Sequence, residues 1–248
     1  MHCSPTDILL IADVHLSPEY PATVARFVRF LSDRARQAQR LYILGDLFDA
    51  WIGDDDDAPH NVLVSTALRD LTAAGVECVL LHGNRDFLLG RRFFRHTGCR
   101  LGREPLLIDC AGERTLLLHG DVLCTDDVAY QRFRRRVRNP LLQQLFLWKS
   151  LARRREIADH YRRTSMNVNT HKAPAIMDVN PLTVNDFLRR FAATRLIHGH
   201  THRPDEHVLD LDGKPARRSV LAQWDEMTGG EVLVFAPQTG EWRREPVL

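Results

Sequence analysis

The chain has 248 residues, 44% hydrophobic and 27% charged, the proportions of a soluble globular protein with one large domain and a substantial core. Its longest apolar runs fall far short of the ~18–20 residues that a spanning helix needs, which excludes a helical integral membrane protein. Five widely separated cysteines, at 3, 78, 99, 110 and 124, include no Cys-x-x-Cys and read as reduced thiols of a cytoplasmic protein.

The first residues run straight into a strand with no signal-peptide pattern, which also suits the cytoplasm. Net charge is +2 but is unevenly spread, because residues 132–163 hold eleven Arg or Lys against Glu156 and Asp159. That segment should meet an anion or an anionic surface, while the acidic clusters elsewhere suit cations.

Residues 7–12 form an apolar strand, and Asp13-Val-His15 stands at its end. Residues 21–40 carry Val24, Phe27, Val28 and Leu31 at helical spacing, with Pro21 near the start where proline is tolerated. The short apolar run 41–44 is a second strand, and it stops at Gly45-Asp46. A carboxylate just past a buried strand sits where open α/β sheets place their ligands. Residues 53–57 are an acidic run, expected to be a solvated turn. Residues 60–74 read as a helix closed by Gly75, and 76–81 as a strand ending at Gly83-Asn-Arg-Asp86.

Residues 106–110 and 115–118 look like a hairpin whose second strand delivers His119-Gly-Asp121. The pattern then changes. Residues 126–163 are helical and basic, broken at Asn139-Pro140, and interrupt the strand rhythm as an insertion or lid. Asn180-Pro181 opens a helix to about residue 192, and strand 195–197 leads into His198-Gly-His-Thr-His202. Runs 208–211, 218–221 and 231–235 are closing strands. Strands alternating with helices, then a run of strands, predict an α/β fold of two packed sheets with helices outside.

Asp13 and His15 lie two apart, as do His200 and His202, so each pair is expected to project to one side of a strand-like segment. Asp46, Asn84 and His119 add further oxygen and imidazole donors, with no thiolate. Such a set suits Mn²⁺, Fe²⁺ or Zn²⁺ in a two-metal site. Any one of these histidines alone would more often be satisfied by hydrogen bonds in a core or surface. Five such clusters in this order, each at a strand end, point to a metal centre with Asp46 in the middle.

This order of clusters resembles the calcineurin-like metallophosphoesterase superfamily from Asp13 to His202. The resemblance implies a four-layer αββα sandwich with a helical insertion, and two divalent ions, Mn²⁺ foremost. It implies that one ion takes Asp13, His15, Asp46 and His202, and the other takes Asp46, Asn84, His119 and His200, with Asp46 bridging. A hydroxide activated by both ions would be the nucleophile. Asp46, Asn84, Arg85, His119 and His200 would carry the catalysis.

One position departs from the superfamily, which usually reads Gly-Asn-His-Asp/Glu where this chain has Gly83-Asn84-Arg85-Asp86. Arginine does not give up its proton at working pH, but its planar fork can hold phosphate oxygens. A leaving group that needs no protonation is a phosphate, so the bond cut should be a pyrophosphate.

Within the superfamily the chain is similar to the UDP-2,3-diacylglucosamine hydrolase family of lipid A synthesis. The residues that carry this are Gly45-Asp-Leu-Phe-Asp-Ala-Trp-Ile-Gly-Asp54, His82-Gly-Asn-Arg-Asp86, His119-Gly-Asp121 with Asp126-Asp127, Ser165-Met-Asn-Val-Asn169 and His198-Gly-His-Thr-His-Arg-Pro204. The resemblance implies cleavage to UMP and 2,3-diacylglucosamine 1-phosphate, with Asn84, Arg85, Asp127, Ser165, Asn169, Lys172 and His200 contacting substrate. It divides the chain into a core, 1–125 with 176–248, and a lid for the lipid, 126–175.

The insertion suits a lipid independently. Leu141, Leu142, Leu145, Phe146, Trp148 and Leu151 crowd one stretch flanked by arginines, fit for an acyl pocket or for the cytoplasmic face of the inner membrane. Neither nucleic acid nor an obligate protein partner is expected. Two other readings compete. In one, the basic stretch tracks a nucleic acid or soluble dinucleotide, but leucines rather than stacking aromatics interleave it. In the other, the chain is a non-catalytic scaffold, which predicts broken ligand positions, whereas all seven are intact.

Overall fold

The computed structural model of the chain describes residues 7–170 and 176–248, without the side chains of 165–170. In the first sheet, β1 (Ile8–Ile11), β2 (Arg40–Ile43), β3 (Glu77–Leu80) and β4 (Arg100–Leu101) run parallel. β10 (Gly230–Ala236) and β11 (Glu241–Val247) extend it antiparallel beyond β1. The second sheet is ordered β5 (Leu106–Cys110), β6 (Glu113–Leu117), β7 (Arg195–His198), β9 (Lys214–Val220) and β8 (Asp205–Leu211). Both sheets are mixed, and β6, β7 and β9 are the parallel strands of the second.

Side-chain alternation along these strands builds the layers. In the first sheet Leu9, Ile11, Leu41, Ile43, Cys78 and Leu80 face outward onto α1 (Pro21–Ser32), α2 (Pro59–Ala73) and α3 (Arg91–Thr97). The alternate residues Leu10, Tyr42 and Val79 face inward and meet Leu117, Ile197 and Leu221 from the second sheet. On the far side, Leu116 and Leu196 pack against Val184 and Leu188 of α7 (Pro181–Phe191). The result is the expected four layers, helix, sheet, sheet and helix, each joined to the next by burial of period-two apolar rows.

Several local expectations change. The helix expected over 21–40 ends at Ser32, because the apolar stripe stops at Leu31. Arg34 then turns outward to Asp7 and Glu245, at 2.7 Å from each. Helix α3 and strands β4 and β11 were not expected. Strand β11 is rich in charge, and only its pairing with β10 gives Trp242 a face, on Phe235 with ring centroids 4.8 Å apart.

The acidic run 53–57 is not a solvated turn. Asp54 accepts backbone N–H groups from Gly90, Arg92 and Phe93 at 2.9–3.0 Å, and thereby caps α3 from a distant part of the chain. Asp55 receives Arg154, and Asp56 receives Arg155 at 3.1 Å.

The insertion is helical as expected, in three pieces: α4 (Val128–Val137), α5 (Pro140–Leu147) and α6 (Leu151–Thr170). Asn139 breaks α4 from α5 and caps the latter, accepting the N–H groups of Leu141 and Leu142. Arginines root the insertion in the core. Arg134 donates to Asp121 at 2.6 Å, Arg138 donates to the Gly83 carbonyl at 2.9 Å, and Arg162 reaches Asp49 at 3.1 Å. The apolar side of α5 stays open, with Leu141 75% and Trp148 74% exposed. Among the described residues no helix is long and apolar enough to cross a membrane. Cys78, Cys99, Cys110 and Cys124 are buried free thiols, and Cys3 lies outside the described residues.

Candidate functional site

The loops that follow β1, β2, β3, β6 and β7 converge at one edge of the two sheets and bring the seven expected ligand residues together. The route of convergence differs from the expected one. β1 ends at Ile11, and Asp13 and His15 lie beyond it with φ of 53° and 52°. Asp46, His200 and His202 have φ of 51°, 67° and 53°. Among the described residues eight non-glycine positions have positive φ, and five of them are these. Left-handed turns, not the two-residue repeat of a strand, aim the pairs Asp13/His15 and His200/His202. Each such turn costs roughly 1–2 kcal/mol, and such strain concentrates where a site demands it.

Two glycines make room for the carboxylates. A Cβ on Gly83 would collide with Asp46 Oδ1, and one on Gly199 with Asp13 Oδ2. The same two carboxylates are held by backbone donors, since Arg85 N–H donates to Asp46 Oδ1 and His200 N–H to Asp13 Oδ2, each at 2.8 Å.

The ligand atoms fall into two groups. Asp13, His15 and His202 form one, with Asp13 Oδ1 4.0 Å from His15 Nε2 and 3.4 Å from His202 Nε2. Asp13, Asp46 and His119 form the other, with His119 Nε2 3.8 Å from Asp46 Oδ1. Asn84 Oδ1 lies 2.8 Å from both His119 Nε2 and His200 Nδ1. Asp13 belongs to both groups, so it is as central as Asp46, a rank that its Asp-x-His motif did not signal.

The donor set fits divalent cations. Leu44 carbonyl accepts from His119 Nδ1 at 2.9 Å, which leaves the Nε2 lone pair facing the Asn84 oxygen. Two lone pairs at that distance repel unless a proton or a cation lies against them. Asp13 Oδ1 and His15 Nδ1 are buried with no hydrogen-bond partner among the described residues. Buried polar atoms without partners are expensive, and a cation beside Asp13 would supply one.

The electrostatics point the same way. Burial pushes the Asp46 carboxyl up to about 7, helped by Asp86 and Asp13 and opposed by His119. Burial works against a charged His119, yet Asp46, Asp13, Asp121 and Glu104 hold its pKa up at about 9. Burial lowers His15 to about 3 and, with His119 beside it, His200 to about 4. The shell thus combines neutral imidazoles at His15 and His200 with a buried carboxylate pair, Asp13 and Asp46, suited to cations. His198, in the same Gly-His-Thr-His run, is buried against Gly199 and Gly120, outside the ligand groups.

The site extends past the expected residues. Arg85 Nη1 lies 3.6 Å from Asp49, and Arg162 of α6 shares that carboxylate. Glu104 accepts the His119 N–H at 2.6 Å and pairs with Arg134, which also holds Asp121. Tyr130 donates to Asp121 and lays its ring beside His200, centroids 5.8 Å apart. Asp49 closes the Gly-Asp-x-x-Asp motif and was within reach of sequence reasoning, whereas Arg162 is one of many arginines and Glu104 belongs to no motif. Asp127 is the N-cap of α4, accepting from Tyr130 N–H at 3.0 Å. Ser165 and Asn169 fall on α6 where side chains are not described, and Lys172 lies outside the described residues.

Comparison with known proteins gives this geometry a context. Residues 6–204 match the calcineurin-like phosphoesterase family. The chain is 51% identical to a UDP-2,3-diacylglucosamine hydrolase of Serratia proteamaculans over 92% of its length and 95% of the relative's. It is 50% identical to one of Salmonella arizonae, over 87% of its length and 90% of the relative's. Among solved structures, an archaeal phosphodiesterase covers 97% of the chain at 9% identity, with 99% of that structure aligned and a TM-score of 0.49.

Proposed function

The chain belongs to the calcineurin-like phosphoesterase family, and on that footing we propose that it hydrolyses the pyrophosphate bond of UDP-2,3-diacylglucosamine in lipid A biosynthesis. The products are UMP and 2,3-diacylglucosamine 1-phosphate. The observation that carries this reading is Arg85. Its backbone N–H is spent on Asp46 and its guanidinium stands at the rim of the ligand shell, where a superfamily histidine would donate a proton. A permanently charged fork suits a pyrophosphate, whose leaving phosphate needs no proton.

Asp13, His15, Asp46 and His202 would hold one divalent cation, and Asp46, Asn84, His119 and His200 a second, with Asp46 shared and Mn²⁺ the expected ion. When bound, the cations supply Lewis acidity and an activated water near neutral pH. The protein's own part is positional. Glu104 holds the His119 backbone N–H and the Leu44 carbonyl orients its ring, Gly83 and Gly199 let the carboxylates approach, and Asp49 pairs with Arg85 beside the shell. Asn84, Arg85, Asp127, Ser165, Asn169, Lys172 and His200 contact the substrate in this reading.

Residues 126–175 act as a lid on the core formed by 1–125 and 176–248. The exposed leucines of α5, flanked by the arginines of α4 and α6, suit acyl chains and an anionic membrane face, here the cytoplasmic side of the inner membrane. The test is incubation of purified protein and Mn²⁺ with UDP-2,3-diacylglucosamine in ¹⁸O-labelled water. UMP should appear and carry the label. No UMP would overturn the function, and label in the sugar phosphate would reverse the orientation of the substrate.

A further inference from the structure

A second concavity lies next to the ligand shell. It measures about 230 Å³ and is walled by Asp178, Thr201, Arg203, Asp205, His207 and Arg218. Thr201 sits between His200 and His202, so the cavity begins one residue's span from the ligand shell. The core contacts of the insertion's Arg134, Arg138 and Arg162 fall on loops after β2, β3 and β6. This cavity lies beyond β7, over β9 and β8.

We propose that the cavity seats the uridine half of the substrate and selects uracil over cytosine. This rests on the function proposed above. A nucleotide-activated glycolipid has two arms diverging from its pyrophosphate. If the acyl arm follows α5, the nucleoside arm needs a pocket on the other flank, and this cavity sets charged and polar groups beside apolar Pro204 and Val220, as a base with a polar edge requires. Its size admits a nucleoside, and the charged groups among its lining disfavour an acyl chain.

The lining also has a hydrogen-bond pattern. Arg218 Nη1 and Thr201 Oγ1 are buried in the wall with no hydrogen-bond partner among the described residues. Uracil binding would require a side-chain torsion to turn each toward the cavity. Asp178 accepts from Arg203 at 2.9 Å and stands 3.8 Å from Arg218, leaving that guanidinium incompletely satisfied. Two donors with a carboxylate nearby complement the imide edge of uracil, which offers carbonyl, N–H and carbonyl. Cytosine presents a lone pair at N3, which would face the Asp178 carboxylate. Asp205 stands exposed at the mouth as an acceptor for ribose hydroxyls.

The experiment is calorimetric titration of the Mn²⁺-loaded chain with UMP and with CMP, which share their phosphate and differ at the base edge. UMP should bind about tenfold or more tightly, the cost of one unpaired buried donor. Arg218→Met should remove most of that preference. Asp178→Asn, which replaces a carboxylate by a group able to donate to N3, should reverse it in favour of CMP, an outcome that misfolding cannot produce. Equal binding of the two nucleotides by the unmodified chain, or a preference untouched by both substitutions, overturns the proposal. The titration needs no turnover. A chain that discriminates the bases but does not cleave UDP-2,3-diacylglucosamine therefore refutes the function alone, and one that cleaves it without discriminating refutes the cavity alone.

Discussion

The ligand shell and helix α5 use opposite physics within a few turns of chain. The shell is buried, strained at five left-handed residues and crowded with charge, and each ligand loop is pinned by backbone or carboxylate hydrogen bonds. Helix α5 is unstrained, capped by Asn139 and apolar, yet it buries almost nothing, and its neighbours are held at their roots by arginines. The difference teaches where precision is needed. Reacting groups must be held to a fraction of an ångström, whereas a surface for fluid acyl chains needs only area and a ring of positive charge.

The largest expected effect breaks the shell. Asp46→Asn removes a buried carboxylate that the proposed function assigns to both cations, and kcat should fall by about 10²–10³-fold or more. Thermal unfolding should change little, and metal analysis should show at least one position empty. Near-normal turnover with two bound ions would remove the dinuclear assignment.

Arg85 sharpens the comparison, because it shares Asp49 with Arg162 of the insertion while its backbone holds Asp46. Arg85→Lys should cost about 2–4 kcal/mol in kcat/KM, since one ammonium cannot reproduce two parallel hydrogen bonds. Arg85→His should not restore cleavage of the lipid pyrophosphate, although it should improve relative activity on an aryl phosphodiester. Wild-type rates for the histidine variant on the natural substrate would show that proton donation matters there.

Metal affinity should depend on pH in a stated direction. Asp46 at about 7 and His119 at about 9 hold protons that a cation must displace. Below about 7 both compete with metal, so affinity should climb as pH rises from 6 to 9 and protons should be released on binding. Titrations in buffers of different ionisation enthalpy measure that release. Affinity that is flat over this range would contradict the role of both residues.

A smaller effect tests the frame around the shell. Asp54→Ala leaves the N–H groups of Gly90 and of Arg92 and Phe93 in α3 without their acceptor and should cost about 1–2 kcal/mol of stability, read from urea unfolding. The smallest belongs to α5. Trp148→Glu should change stability by less than about 0.5 kcal/mol, because the side chain is almost fully exposed. It should nevertheless weaken binding to anionic vesicles and raise KM for the lipid substrate. A large loss of stability would mean that α5 is packed, and the contrast between the regions would fail.

The positions of most core strands, the seven residues that converge at one sheet edge and the helical nature of residues 126–163 were legible along the chain. Buried parallel strands are short continuous apolar runs, and their ends were marked by Gly-Asp, Gly-Asn and Gly-His. Helix α3, strand β11 and the work of the acidic run were not legible, for a common reason. Asp54 becomes a helix cap only when Gly90 is brought to it, and Trp242 becomes a core residue only beside Phe235.

Local sequence determined which residues could bind a cation, because donor chemistry belongs to the side chain wherever it lies. Tertiary structure alone decided how they meet. The left-handed turns at Asp13, His15, Asp46, His200 and His202 run against backbone preference, so no propensity forecasts them. Packing of two sheets and the close approach of Gly83 and Gly199 to the carboxylates over-determine those turns. The choice of Arg134, Arg138 and Arg162 from a run of arginines to meet the loops around the site, and of Arg154 to meet Asp55 and the Ile52 carbonyl, was likewise made in three dimensions. Charge alone does not rank them, and only distance to Asp121, Gly83, Asp49 and Asp55 does.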